Sequence, residues 1–206
     1  MKTIAILSRK GGTGKTTLAI QLSVAAEQAG HTTALIDLDP QASASSWRDI
    51  RENKTPAVIS AHASRLSQIL HLAKENGATL TIIDTAPHTE SAALDAATEA
   101  QFAVIPCKPA LIDLKAIGST INIVRLANVP ARVVLNGVPP RGNVGLQARQ
   151  AMSHYNIICA PCEIGSRIAF NYAYTAGLTV QEYEPRGKAS GEIRELYTYI
   201  AKEMGV

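Results

Sequence analysis

Apolar and polar positions along the chain follow two alternating periods. Short runs rich in Ile, Val, Leu and Ala fall at 2–8, 32–37, 57–60, 79–84, 101–106, 131–136 and 156–159. Such near-continuous apolar runs read as strands covered on both faces. Between them lie stretches with apolar residues three and four apart, long enough for crossover helices. The final stretch, about 188–204, sets Ile193, Leu196, Tyr197, Ile200 and Met204 on one stripe. Val58-Ile59-Ser60 is the shortest strand run and is expected near a sheet edge. The alternation predicts an α/β fold, a doubly wound, mostly parallel sheet flanked by helices. In such a fold a ligand sits at the carboxyl ends of the strands. No linker or repeat interrupts the pattern, so 1–206 reads as a single domain.

Composition narrows this picture. Of the 206 residues, 46% are hydrophobic but only 4% aromatic, which fits buried strands packed by Ala-rich helices. Three cysteines and no signal-like start point to a reducing cytoplasm. No apolar run reaches membrane-spanning length. A formal net charge of +3 means that any nucleic-acid binding must come from a local basic patch.

The chemistry concentrates first at Lys10-Gly11-Gly12-Thr13-Gly14-Lys15-Thr16-Thr17, between the strand run Thr3-Ile4-Ala5-Ile6-Leu7 and a helical run from Leu18 to Ala29. Glycines between strand and helix let backbone N–H groups close around phosphate oxygens, and the helix N-terminus adds partial positive charge. Lys15 is placed to reach outer phosphates and Thr16 to offer its hydroxyl to Mg²⁺. The ordinary phosphate loop has a glycine five residues before Gly14, where this chain has Arg9. Lys10 and two glycines follow instead, giving the deviant Walker A form of a P-loop NTPase. A lysine at the loop entrance points away from its own nucleotide's outer phosphates. Its natural target is a nucleotide on a second subunit, which implies a face-to-face dimer.

Two further segments accompany the loop. Leu35-Ile36-Asp37-Leu38-Asp39-Pro40 closes the second strand run, and alternation sets Asp37 and Asp39 on one side. Beside a phosphate loop they suit Mg²⁺ handling and water positioning, although a polar strand end before a turn would look the same. Thr81-Ile82-Ile83-Asp84 is a Walker B pattern, an aspartate after an apolar run that holds Mg²⁺, usually through water.

These three elements in this order resemble the ParA/MinD group of deviant Walker A ATPases. The short chain, without an N-terminal DNA-reading extension, looks most like the small ParA-type (ParF-like) partition ATPases. The resemblance takes in Ile105-Pro106-Cys107-Lys108-Pro109, Val134-Leu135-Asn136-Gly137 and Ile164-Gly165-Ser166-Arg167. It implies ATP and Mg²⁺ as cofactors, and slow, partner-stimulated hydrolysis. Lys10 is implied to contact nucleotide across the dimer. Gly11, Gly12, Thr13, Gly14, Lys15, Thr16 and Thr17 would hold phosphates. Asp39 would orient the attacking water, Asp37 would assist near the metal, and Asp84 is the Walker B aspartate. Asn136 stands where the family contacts the base, and the guanine-reading Asn-Lys-x-Asp pattern is absent there, which favours adenine.

The resemblance also implies a homodimer when ATP is bound, non-specific DNA as a surface, a ParB-like cargo adaptor and a cytoplasmic, nucleoid-associated location. Cargo could be a plasmid, a chromosome or an organelle such as a carboxysome. Arg141, Arg149, Arg167, Arg186, Lys188 and Arg194 lie in the C-terminal third. Of these, Arg167, Arg186, Lys188 and Arg194 are the candidate DNA contacts, with an ordinary solvated surface as the alternative. The last helix carries Glu192, Arg194, Glu195, Lys202 and Glu203, a mixed set unlike a basic membrane-binding face.

Two other readings stay open: a metabolic P-loop enzyme of the dethiobiotin-synthetase kind, and an iron–sulfur carrier built on Cys159-Ala160-Pro161-Cys162. His31, His62, His71, His88 and His154 show no ligand spacing. Trp47 is expected to pack against the core or a partner.

Overall fold

A computed structural model describes residues 1–87 and 89–206. Its strands are β1 (Lys2–Ile6), β2 (Thr33–Asp37), β3 (Ala57–Ser60), β4 (Leu80–Asp84), β5 (Phe102–Cys107), β6 (Ala131–Val138), β7 (Ile158–Cys159) and β8 (Ile164–Gly165). They form one sheet in the order β3-β2-β4-β1-β5-β6-β7, with β8 paired to the far end of β6. Each pairing among the described residues is parallel. The short run at Val58 does lie at the sheet edge.

The helices are α1 (Lys15–Gln28), α2 (Ser43–Ile50), α3 (Leu66–Glu75), α4 (Glu90–Glu99), α5 (Leu111–Leu126), α6 (Val144–Met152), α7 (Ala169–Thr175), α8 (Val180–Tyr183) and α9 (Lys188–Met204). Strand period two sorts the buried side chains into two layers. Ile4, Ile6, Leu35 and Ile82 meet α1, α2 and α7 to α9 on one face. Ala5, Leu7, Ile36 and Ile83 meet α3 to α6 on the other. Alanines on α4 (Ala92, Ala93, Ala96, Ala97) are buried and let that helix approach the sheet closely. Helix α9 has the bounds the stripe predicts, burying Ile193, Leu196, Tyr197 and Ile200.

Several boundaries differ from the sequence reading, three of them with a clear cause. Helix α1 begins at Lys15, not Leu18, because the glycine loop runs straight into it. Strand β7 spans two residues, since Asn156 has φ +50° and turns the chain just before it. Strand β8 is unanticipated, because two residues carry no periodicity. It lengthens β6 beyond residue 136 to Val138.

Helix α2 leads away from the candidate acidic segment and is fastened to the α7–α8 region. The Tyr174 hydroxyl donates to Ser43 O at 2.8 Å and Trp47 Nε1 donates to Leu178 O at 3.2 Å. Arg51, its side chain 2% exposed, donates to Gly177 O at 3.0 Å and makes a two-pronged pair with Glu182 at 2.6 and 2.9 Å. Burial raises the Glu182 pKa. Hydrogen bonds from Arg51 and from the Thr179 backbone amide outweigh that and hold the carboxyl below its ordinary value.

Replacing Arg51 with Ala should lower unfolding free energy by about 3 kcal/mol, since it strands a largely buried carboxylate. Glu182 has a depressed pKa, so its contribution is present above the unfolded value of 4.5 and is lost as pH falls through the folded one. Urea titrations of wild type and Glu182→Gln should therefore converge on acidification below that value.

Candidate phosphate-binding site

The loop after β1 is shaped by two glycines with positive φ, Gly12 at +72° and Gly14 at +93°. Gly11 and Gly12 are exposed, whereas Thr13 and Lys15 are buried. No side chain caps α1 at Gly14. The first amides of that helix are therefore free donors at its positive end, an arrangement suited to an oxyanion. Lys15 Nζ donates to Lys10 O at 3.4 Å, and the Thr13 hydroxyl does so at 3.5 Å. Burial lowers the Lys15 pKa, while Asp84 and Asp39 oppose that shift.

Strands β2 and β4 end beside one another, with Asp37 in register with Asp84. Asp84 is fully buried and neither carboxylate oxygen finds a hydrogen-bond partner among the described residues. Burial pushes its pKa up to about 7, against the nearby Thr16 hydroxyl and Lys15. An orphaned buried carboxylate next to a threonine hydroxyl fits a hydrated Mg²⁺, which prefers oxygen ligands and keeps several waters.

Asp37 is also buried, but its oxygens are in use. One accepts from Asp39 N at 3.1 Å, the other from Ala44 N and Ser45 N at 3.1 and 3.3 Å. Burial raises its pKa in spite of those amides. Asp37 thus organises the start of α2. Asp39 is half-exposed and accepts from Gln41 N at 3.0 Å. The alternation expected to set the two alike gives way to this tight turn.

Lys10 turns away from the loop interior. Its Nζ lies 2.8 Å from Asp113 Oδ1 in the first turn of α5, with side-chain exposures of 33% and 5%. Next to Asp113, Leu111 and Ile112 are 68% and 69% exposed. Asn136 donates from Nδ2 to Thr13 O at 2.6 Å. Sequence reasoning missed both Asp113 and Tyr174. The first carries a weak signal as an acid in the first turn after the proline-bearing loop, and the second carries none.

The candidate DNA contacts separate. Arg167 is engaged in a forked pair with Glu192, which raises its pKa. Arg194 donates to Pro185 O at 2.9 Å. Arg186 and Lys188 are exposed and make no ion pair among the described residues. Of the histidines, His88 lies outside the described residues. Trp47 is in the core, fully buried.

Cys162 is buried and Cys159 half-buried. Among the described residues no group of three or more His, Cys, Asp and Glu side chains is arranged to hold a metal. Nor is any helix of the described residues long and apolar enough to cross a membrane.

Known proteins resemble this chain in sequence and in fold. Residues 4–179 match the family described as CobQ/CobB/MinD/ParA nucleotide binding domain. The "Maintenance of carboxysome distribution protein A" of Gloeobacter kilaueensis is 32% identical, over 98% of this chain and 94% of that protein. The sporulation initiation inhibitor protein Soj of Bacillus subtilis is 24% identical, over 98% of each. Among solved structures, the septum site-determining protein MinD of Pyrococcus horikoshii, complexed with Mg-ADP, superposes with a TM-score of 0.80 at 18% identity. That match covers 99% of this chain and 97% of the other.

Burial raises all three thiols, Cys107 to about 12 and Cys162 to about 11. At pH 8 Cys107 and Cys162 should therefore stay protonated. Their alkylation in the folded protein should be on the order of 100-fold slower than in urea. Mass spectrometry of the alkylated peptides reads this directly.

Proposed function

The chain belongs to the CobQ/CobB/MinD/ParA family of nucleotide-binding domains, and from that premise we propose that it is a Mg²⁺-dependent ATPase whose ATP-bound homodimer positions a cargo on DNA. The observation that carries this reading is Lys10. It is a second loop lysine at an exposed rim, 2.8 Å from Asp113 and turned from its own phosphate cradle. A cation so placed serves a neighbouring copy better than its own ligand. Exposed Leu111 and Ile112 beside it supply apolar surface that a second copy would cover.

Within each subunit, the amides at the start of α1 and Lys15 bind the outer phosphates. Thr16 and Asp84 would hold Mg²⁺, with Asp37 behind them, and the ion would supply charge neutralisation for the outer phosphates. Asp39, half-exposed at the rim, orients the attacking water. Phosphoryl transfer of this kind depends on positioning and charge neutralisation. A site completed by Lys10 from the partner is slow in a lone subunit, and assembly follows nucleotide state. A ParB-like adaptor stimulates turnover and carries the cargo, a carboxysome-like body or a replicon.

DNA binding in this scheme is non-specific and electrostatic. Arg186 and Lys188 are its better-placed contacts, because Arg167 and Arg194 already have partners. Assembly of two copies doubles the basic face, which makes retention depend on ATP.

Sedimentation with MgATP should show a dimer for wild type and a monomer for Lys10→Ala. A wild type that stays monomeric at high concentration would refute the proposal. Asp39→Ala should dimerise yet hydrolyse roughly 100-fold more slowly. Its trapped dimer should be retained on random-sequence DNA at low salt and released steeply as salt rises. Arg186→Glu combined with Lys188→Glu should abolish that retention while leaving the dimer intact.

A further inference from the structure

Asn136 stands where the family resemblance implies a contact with the nucleotide base, and in the structure its amide is engaged with the phosphate loop. Its amide donates to Thr13 O at 2.6 Å across 123 residues of sequence. The acceptor is a carbonyl, so the NH₂ side of the amide must face it. The same nitrogen fills the space that a side chain on Gly14 would need, since a Cβ there would stand 2.1 Å from Asn136 Nδ2. Gly14 also has φ +93°, so a glycine is required there for two separate reasons.

The aim of this side chain has a backbone cause. Asn136 pairs with Ile164 and Val138 with Gly165, leaving Gly137 out of register between them. Gly137 has φ +70°. Such an irregularity re-aims the flanking side chains, and these features cluster next to ligand sites. The short strand β8 holds it in place, and is itself held by Gly165 N donating to Glu192 Oε2 at 3.1 Å.

We propose that Asn136 is a positioning residue that braces the phosphate loop through Thr13 and Gly14, and so acts on the triphosphate. This deepens the nucleotide-binding reading and rests on it. The brace fixes a buried carbonyl between the two positive-φ glycines, and so sets the direction of the amides at the start of α1. Its effect on affinity is the same whatever is attached to the phosphates. A base-reading asparagine would instead discriminate among bases and leave a bare polyphosphate indifferent.

Displacement of a fluorescent ATP analogue, in Mg²⁺, by ATP, GTP and inorganic tripolyphosphate separates these roles. For Asn136→Ala, all three Kd values should rise by the same factor, about 5- to 10-fold, as for one lost hydrogen bond. Asn136→Asp keeps the shape but turns an acceptor toward the Thr13 carbonyl. It should weaken all three more, and it stands in if the Ala variant does not fold. Loss confined to ATP, with tripolyphosphate unchanged, would overturn the brace in favour of base reading. Unchanged affinity for all three would overturn it outright. If wild type binds none of the three, the cradle reading itself fails, which is a different result from either.

Discussion

Three carboxylates and one buried ammonium meet at the carboxyl ends of β1, β2 and β4, and much of the molecule answers to that imbalance. Lys15 alone does not neutralise Asp37, Asp39 and Asp84. Burial raises Asp84 and Asp37 and lowers Lys15, so each group resists its own charge. Asp37 relieves its share by accepting from three backbone amides. Asp84 has no such relief, both oxygens being buried without a good partner. An unsatisfied buried polar group costs about 1–3 kcal/mol, more when charged. A fold keeps such a cost where a ligand repays it. A divalent cation with its waters beside Thr16 is the ligand whose chemistry suits the site.

One of these carboxylates, Asp37, connects the site to the far layer of helices. Asp37 fixes the first amides of α2, and Tyr174, Leu178, Gly177 and Glu182 grip that helix along its length. Gln21 of α1 accepts from Val180 N at 3.0 Å and gives its carbonyl to Gln181 Nε2, also at 3.0 Å. The two helices that begin at the phosphate site are thus both tied to residues 174–182. A displacement of the Asp39 turn must either be absorbed in residues 38–43 or shift this segment, because packed interiors deform little. The left-handed Ala42, φ +50°, lies in that short stretch.

Much of this was legible in the sequence where periodicity was strong. The alternating runs placed the first six strands, the edge position of β3, and α9 with its stripe. The order of phosphate loop, Asp37–Asp39 and Asp84 put these residues at or just past strand ends, and the parallel pairing of β1, β2 and β4 gathers those ends on one edge. What escaped depends on contacts distant in sequence. Tyr174 reaches Ser43 across 131 positions, and no local pattern marks it. Strand β8 is two residues long, below any period. Arg167 was read as a candidate DNA contact, and its pairing with Glu192 depends on how α9 docks. Alternation set Asp37 and Asp39 on one side, whereas the turn after β2 buries Asp37 and leaves Asp39 half-exposed.

The pair of Lys10 with Asp113 sets a threshold on the proposed assembly. Asp113 is nearly buried, so removing Lys10 from it leaves an uncompensated carboxylate, a cost of about 3 kcal/mol or somewhat less because Lys10 is a third exposed. A neighbour without nucleotide offers the lysine nothing of comparable strength. A triphosphate carrying several negative charges in a partly dry interface does, and each copy makes the exchange once. Two such exchanges, together with burial of Leu111 and Ile112 at roughly 25 cal/mol per Å² of apolar surface, favour the dimer only when both sites are charged. In the proposed assembly, dependence on ATP would follow from electrostatics at the loop entrance.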